Sequence, residues 1–202
     1  YTFFVVPTDS PGNASGNSNT VTDTTLTSGG GGGGGGVPYI VVSTGNGGVR
    51  VIDPLTNTTY QTFQPFPGYT KLVSVTLGDV NNDGFDDIIV ATRGQKNGRI
   101  KIYDGKSALV DGVDFSDSST WVDGNGNSKL ANGLTNVVLG RFQAFSDFTG
   151  GLTVASGDVN NDGFDDVIVG TGKGIPARGV VFWGNSPNLG TPRGLGRGIN
   201  PI

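Results

Sequence analysis

Residues 78–87 read GDVNNDGFDD, and residues 157–166 read GDVNNDGFDD again, letter for letter. In the first copy Asp79, Asn81 and Asp83 occupy alternate positions, followed by Gly84, Phe85, Asp86 and Asp87. Glycine at position 84 permits the positive φ of a sharp reversal, because it has no Cβ to forbid it. Alternate side-chain oxygens, the Phe85 carbonyl after the turn and the closing Asp87 then form a ring of hard donors. Asp158, Asn160, Asp162, Phe164 and Asp166 repeat the set. Ca²⁺ takes 6–8 oxygens at about 2.3–2.6 Å, and such a loop supplies them. Two Ca²⁺ sites are therefore expected. The metal-free alternative is a polar Asn/Asp/Gly turn, which needs one or two such residues and not four carboxylates within nine positions. Mg²⁺ fits less well, since it keeps more of its waters.

The stretch begins like the D-x-[DN]-x-[DN]-G of an EF-hand loop but does not end like one. The twelfth position is Val90 or Val169, within the β-branched runs Ile88-Ile89-Val90 and Val167-Ile168-Val169. Such runs read as buried strands, so each loop joins two strands. The remaining apolar runs predict strands at residues 39–43, 49–52, 60–66, 73–77, 99–103, 137–145, 152–156 and 179–183. Residues 106–136 are a polar insertion, with Trp121 as its expected anchor. Phe63-Gln64 recurs as Phe142-Gln143, so similarity extends past the loops. Four short strands per repeating unit is the mark of propeller blades.

Composition agrees. The chain has 202 residues, 37 of them Gly, and no Glu, His, Cys or Met. Without His or Cys there is no thiol chemistry, no zinc site built on those ligands and no His-based acid–base catalysis. Of the paired acids, Asp87 is better explained by ligation and strand geometry than by catalysis, Asp86 reads as an outward group or one standing behind the ligands, and no enzymatic activity is expected. Net charge is −4, but eight of the seventeen acids lie in the two loops. No basic run points to nucleic acid, and no apolar stretch is long enough to span a membrane. The chain lacks a starting Met and a signal peptide, as a mature or trimmed chain would. Extracellular modules bind Ca²⁺ with a Kd of about 10⁻⁴–10⁻³ M, and an extracellular location is expected.

With these residues in view, the chain resembles the FG-GAP repeat, the calcium-bearing blade of integrin α-subunit propellers, and more closely its bacterial secreted form. The family pattern D-x-D-x-D-G-x-x-D is met by Asp79, Asp83, Gly84 and Asp87, and again by Asp158, Asp162, Gly163 and Asp166. Asn81 and Asn160 replace the middle Asp. The resemblance implies an all-β fold of propeller-like blades, calcium for stability, an extracellular setting, and roles in adhesion or recognition.

The expected organisation is an N-terminal strand at 1–7, a Ser/Thr/Gly-rich linker at 8–36, a blade-like repeat without a calcium loop at 37–70, a full repeat at 71–149 containing the insertion, a further repeat at 150–184, and an irregular tail at 185–202. In register, the glycines 29–36 fall where a third loop would be. Either that repeat has lost its metal, or the glycines stand for other residues. Three blades make an incomplete ring, because closed propellers have 4–8. The third blade lacks a fourth strand, and the segment from Tyr1 to Val6 is the spare β-prone stretch. Donation of that strand to a neighbouring copy, with pairing at open blade edges, would build a calcium-stabilised fibril from a structural subunit. Intrachain closure is the competing placement. The alternative function is an adhesion module that recognises protein or carbohydrate. Asn13 and Asn57 stand in glycosylation triplets, so glycans are possible partners.

Overall fold

The structure is a computed structural model that describes residues 39–94, 98–109, 115, 137–145, 147–173 and 176–184. The segment from Tyr1 to Val6, Asn13, the glycines 29–36, Trp121 with most of the insertion, and the tail lie outside the described residues.

Among the described residues ten strands form three antiparallel sheets. The first holds β1 (Ile40–Ser43), β2 (Val49–Ile52) and β3 (Thr59–Phe63). The second holds β4 (Val73–Gly78), β5 (Asp87–Thr92), β6 (Arg99–Tyr103) and β7 (Val138–Gln143) in sequential order. The third holds β8 (Leu152–Gly157), β9 (Asp166–Thr171) and β10 (Gly179–Phe182). The fold is thus all-β, with propeller-like blades and no closed barrel. A single helix, α1 (Gly105–Leu109), occurs among the described residues. None there is long and apolar enough to cross a membrane, which says nothing about a β-barrel.

The blades stack face to face. Ile88 and Val90 of β5 join Val49, Val51, Phe63 and Tyr103 in a core between the first two blades. Ile89 and Ala91, pointing the other way as strand alternation requires, join Val167, Val169 and Leu152 in a core between the second and third. Hence every residue of β5 is buried. A strand covered on both faces reads as an unbroken apolar run, and Ile88-Ile89-Val90-Ala91 is one. The inner strands β4 and β8 lie side by side. Val154 N–H donates to Ser74 Oγ at 3.2 Å, and the Ser156 hydroxyl donates to the Leu77 carbonyl.

Three details differ from expectation. β3 stops at Phe63 instead of running to Phe66, since Pro65 cannot donate to a ladder; Phe66 turns into the core instead, 5% exposed. α1 opens the insertion, where no helix was expected. Among the described residues of the insertion the anchor is Phe115, stacked on Tyr103 and edge-on to Phe63.

Candidate functional site

Both acidic loops fold alike. Asn82 and Asn161 are left-handed at φ 55 and φ 60, and Gly84 and Gly163 both sit at φ 87. Asn tolerates that region and Gly favours it, so the sequence dictates the reversal. The Asp79 carboxylate accepts from the amides of Asp83 (3.1 Å) and Gly84 (2.9 Å). Asp158 does the same with Asp162 (3.1 Å) and Gly163 (2.9 Å). Asn81 Oδ1 accepts from Asp83 N–H, and Asp83 Oδ1 from Phe85 N–H; Asn160, Asp162 and Phe164 repeat both bonds. These bonds link Asp79, Asn81, Asp83 and Phe85 in one loop, and Asp158, Asn160, Asp162 and Phe164 in the other; Asp87 and Asp166 open the strands that follow. The Gly163 amide holds the Asp158 carboxyl below its ordinary range.

The closing acids differ from the rest. Asp87 and Asp166 are fully buried at 0% exposure. Asp87 Oδ2 accepts from Val80 N–H and its Oδ1 from Gly105 N–H, at 3.1 and 3.0 Å. Asp166 is clamped identically by Val159 and Gly184, both at 3.0 Å. Burial pushes both carboxyls up, well above the ordinary value for Asp87, while the clamping amides oppose the shift. Gly105 and Gly184 were not foreseen as part of the site. Each lies 18 residues after its closing Asp, a shared spacing that could have revealed them.

The loops also touch each other. Asp165 N–H donates to the Asp79 carbonyl (2.9 Å), and Asp79 N–H donates to Asp165 Oδ2 (3.1 Å). Asp86, expected as an outward group or one behind the ligands, is half-buried in this seam. Burial, then Asp165 and Asp79, raise its carboxyl to about 6. Tyr39 of the first blade caps the other side, its hydroxyl donating to the Asp86 carbonyl.

The donor set is all oxygen and mostly anionic, which suits a hard cation such as Ca²⁺. No three Asp side chains among the described residues converge as a ready-made cage. An ion would therefore also need the Asn and backbone oxygens. Asn57 is exposed in a turn, at φ 57.

The model of the FG-GAP repeat family matches residues 72–103 and 150–181. No curated protein and no solved structure matches the chain. Each matched segment runs from just before an inner strand, through an acidic loop, to the strand after next. Two stretches of the chain thus match the FG-GAP repeat, and each is built as part of a propeller-like blade beside the other.

Proposed function

We propose that the chain is a structural subunit of an extracellular, calcium-stabilised fibril, whose copies complete one another's blades. One observation carries this reading. Ile88 and Val90, on the face of the second blade turned to the first, are 0% exposed. Ladder register places Ile40 and Val42 at the same positions in the first blade. They are 45% and 38% exposed. A face that its neighbours bury is open there among the described residues. Stacking of another copy's third blade on it is a heterologous contact, and such contacts propagate unless rotation closes the ring. At the opposite end, among the described residues, β10 pairs with β9 only, and in this reading the position held by β7 in the second blade takes a donated strand, the segment from Tyr1 to Val6.

In this reading Ca²⁺ is held by Asp79, Asn81, Asp83, the Phe85 carbonyl and Asp87, and by Asp158, Asn160, Asp162, the Phe164 carbonyl and Asp166. It supplies the positive charge that the buried closing acids lack, and so stiffens the seam between blades. No catalytic role follows.

The assembly is tested by imaging and sedimentation of Val42→Lys and of a chain lacking residues 1–7, both with Ca²⁺. Loss of fibrils is expected in each, and normal fibrils from both variants would reject the reading. Calorimetric titration of the Asp83→Ala/Asp162→Ala protein should show no Ca²⁺ heat. Unchanged binding would remove the loops as metal sites.

A further inference from the structure

Away from the acidic loops, a cleft of about 400 Å³ opens between the 66–69 turn and the outer strands of the second blade. Three cations line it: Arg99, Lys101 and Arg141. Arg99 and Lys101 alternate on β6, and Lys101 stands directly opposite Arg141 on β7. Residues two apart, and residues directly paired, share a sheet face. Like charges placed so destabilise a sheet, and among the described residues no acid relieves them. The ion pair found there is Arg178 with Asp147, in the third blade's region.

The other polar groups of the cleft are engaged. The Tyr69 hydroxyl donates to the Leu72 carbonyl, the Thr92 hydroxyl accepts from Arg99 N–H, and Gln143 donates to the Phe145 carbonyl. Lys101 is half-buried, with Nζ 5.7 Å from the Phe66 ring centroid and 5.9 Å from that of Tyr103. Burial, then Arg141 and Arg99, lower its ammonium below the ordinary lysine value. What remains is a set of unpaired cations over an apolar floor of Phe66 and Tyr69.

We infer that this cleft binds a small acidic saccharide, its carboxylate or sulfate held by Arg99, Lys101 and Arg141 and its ring face laid on the aromatic floor. Guanidinium forks match oxyanions bidentately. The volume lies at the small end of ligand pockets, enough for one or two rings. A peptide docking through its main chain needs a strand edge, whereas these cations project from the sheet's face. The inference does not rest on the calcium loops.

The test is calorimetric titration of the full chain in Ca²⁺ with a sulfated uronate disaccharide, its neutral counterpart, inorganic sulfate at matched ionic strength, and an oligo-aspartate peptide. The expected result is binding of the acidic disaccharide alone, or far more tightly than sulfate. Arg99 and Arg141 are exposed, so the Arg99→Gln/Arg141→Gln protein should fold with an unchanged or higher Tm. It should bind about tenfold or more weakly, the loss expected for removed charge-assisted hydrogen bonds. Equal binding by that variant overturns the inference. So does sulfate or the peptide binding as tightly as the disaccharide.

Discussion

Gly105→Ala tests whether the amide clamp on the closing acid holds the second blade together. A Cβ at position 105 would lie inside the contact shell of the Asp86 carbonyl oxygen, 2.8 Å from its carbon and 2.7 Å from the Tyr39 hydroxyl. These are backbone and buried atoms, so the glycine must move, by about 1.5 Å on van der Waals grounds. That movement draws its amide away from Asp87 Oδ1, now 3.0 Å distant. Overpacking costs about 1–3 kcal/mol, and a buried carboxylate oxygen stripped of its donor costs about 1–3 kcal/mol more. The replacement of Gly by Ala in the first turn of α1 returns at most about 1 kcal/mol. The net expectation is a loss of about 1–5 kcal/mol. Gly184→Ala, whose Cβ meets the Asp165 carbonyl and lies 3.0 Å from the Val80 oxygen, should behave alike but more mildly. Gly45→Ala is the control, with nothing within 4 Å of the added atom. Urea melts followed by far-UV circular dichroism, in saturating Ca²⁺, give the three values. If Gly105→Ala proves too unstable to purify, the comparison of Gly184→Ala with Gly45→Ala carries the test. All three within about 0.5 kcal/mol of the parent, the range of ordinary surface changes, would refute the clamp.

Lys101→Met removes a half-buried charge while keeping its length. Burial holds the Lys101 ammonium below the ordinary lysine value, so its neutral form favours folding: that stability is present above the unfolded pKa and is lost as pH falls through the folded one. Lys101→Met should therefore melt a few degrees higher than the parent at pH 7, with the advantage shrinking by pH 10.5; a constant difference across the range contradicts the burial argument. Arg178 pairs bidentately with Asp147, 3.0 Å on both nitrogens, and lies 4.9 Å from the Phe145 ring centroid. The pair is exposed, so Arg178→Ala should cost less than about 1 kcal/mol, and less still in high salt; a larger loss in thermal melts would mean the contact matters to the blade. Ile89→Ala empties a fully buried site between the second and third blades and should cost about 2–5 kcal/mol in urea melts, whereas a cost below 1 kcal/mol would mean that those blades do not pack there.

The strands and loops were legible because two independent signals coincided. A ten-residue identity set the repeat, and β-branched runs on its C-terminal side set the strands, so most strand ends fall within a residue or two of expectation. What stayed hidden depends on contacts between distant residues. Gly105 and Gly184 are two glycines among 37; their common spacing from a closing acid marks them, but only the folded hairpin brings their amides onto it. The cationic cleft needs Lys101 set opposite Arg141 across the whole insertion, and nothing in either local segment records that pairing. The raised carboxyl of Asp86 likewise depends on burial and on the charge of Asp165, which belongs to the next repeat.

Register also separates the two explanations for the glycines at 29–36. Ile40 pairs with Ile52 as Ile88 pairs with Tyr103. Tyr39 therefore stands where Asp87 and Asp166 close their loops, and Pro54 stands where Gly105 and Gly184 donate. Tyrosine supplies no carboxylate, and proline has no N–H to give one. The first blade thus lacks both the closing acid and the amide that would hold it. Whatever residues occupy 29–36, this blade cannot finish the loop as the other two do. Its tyrosine serves the neighbouring blade instead, with the hydroxyl on the Asp86 carbonyl and burial raising its pKa well above the ordinary value. One residue, Tyr39, thus both removes the closing carboxylate from this blade and supplies the aromatic contact to the next.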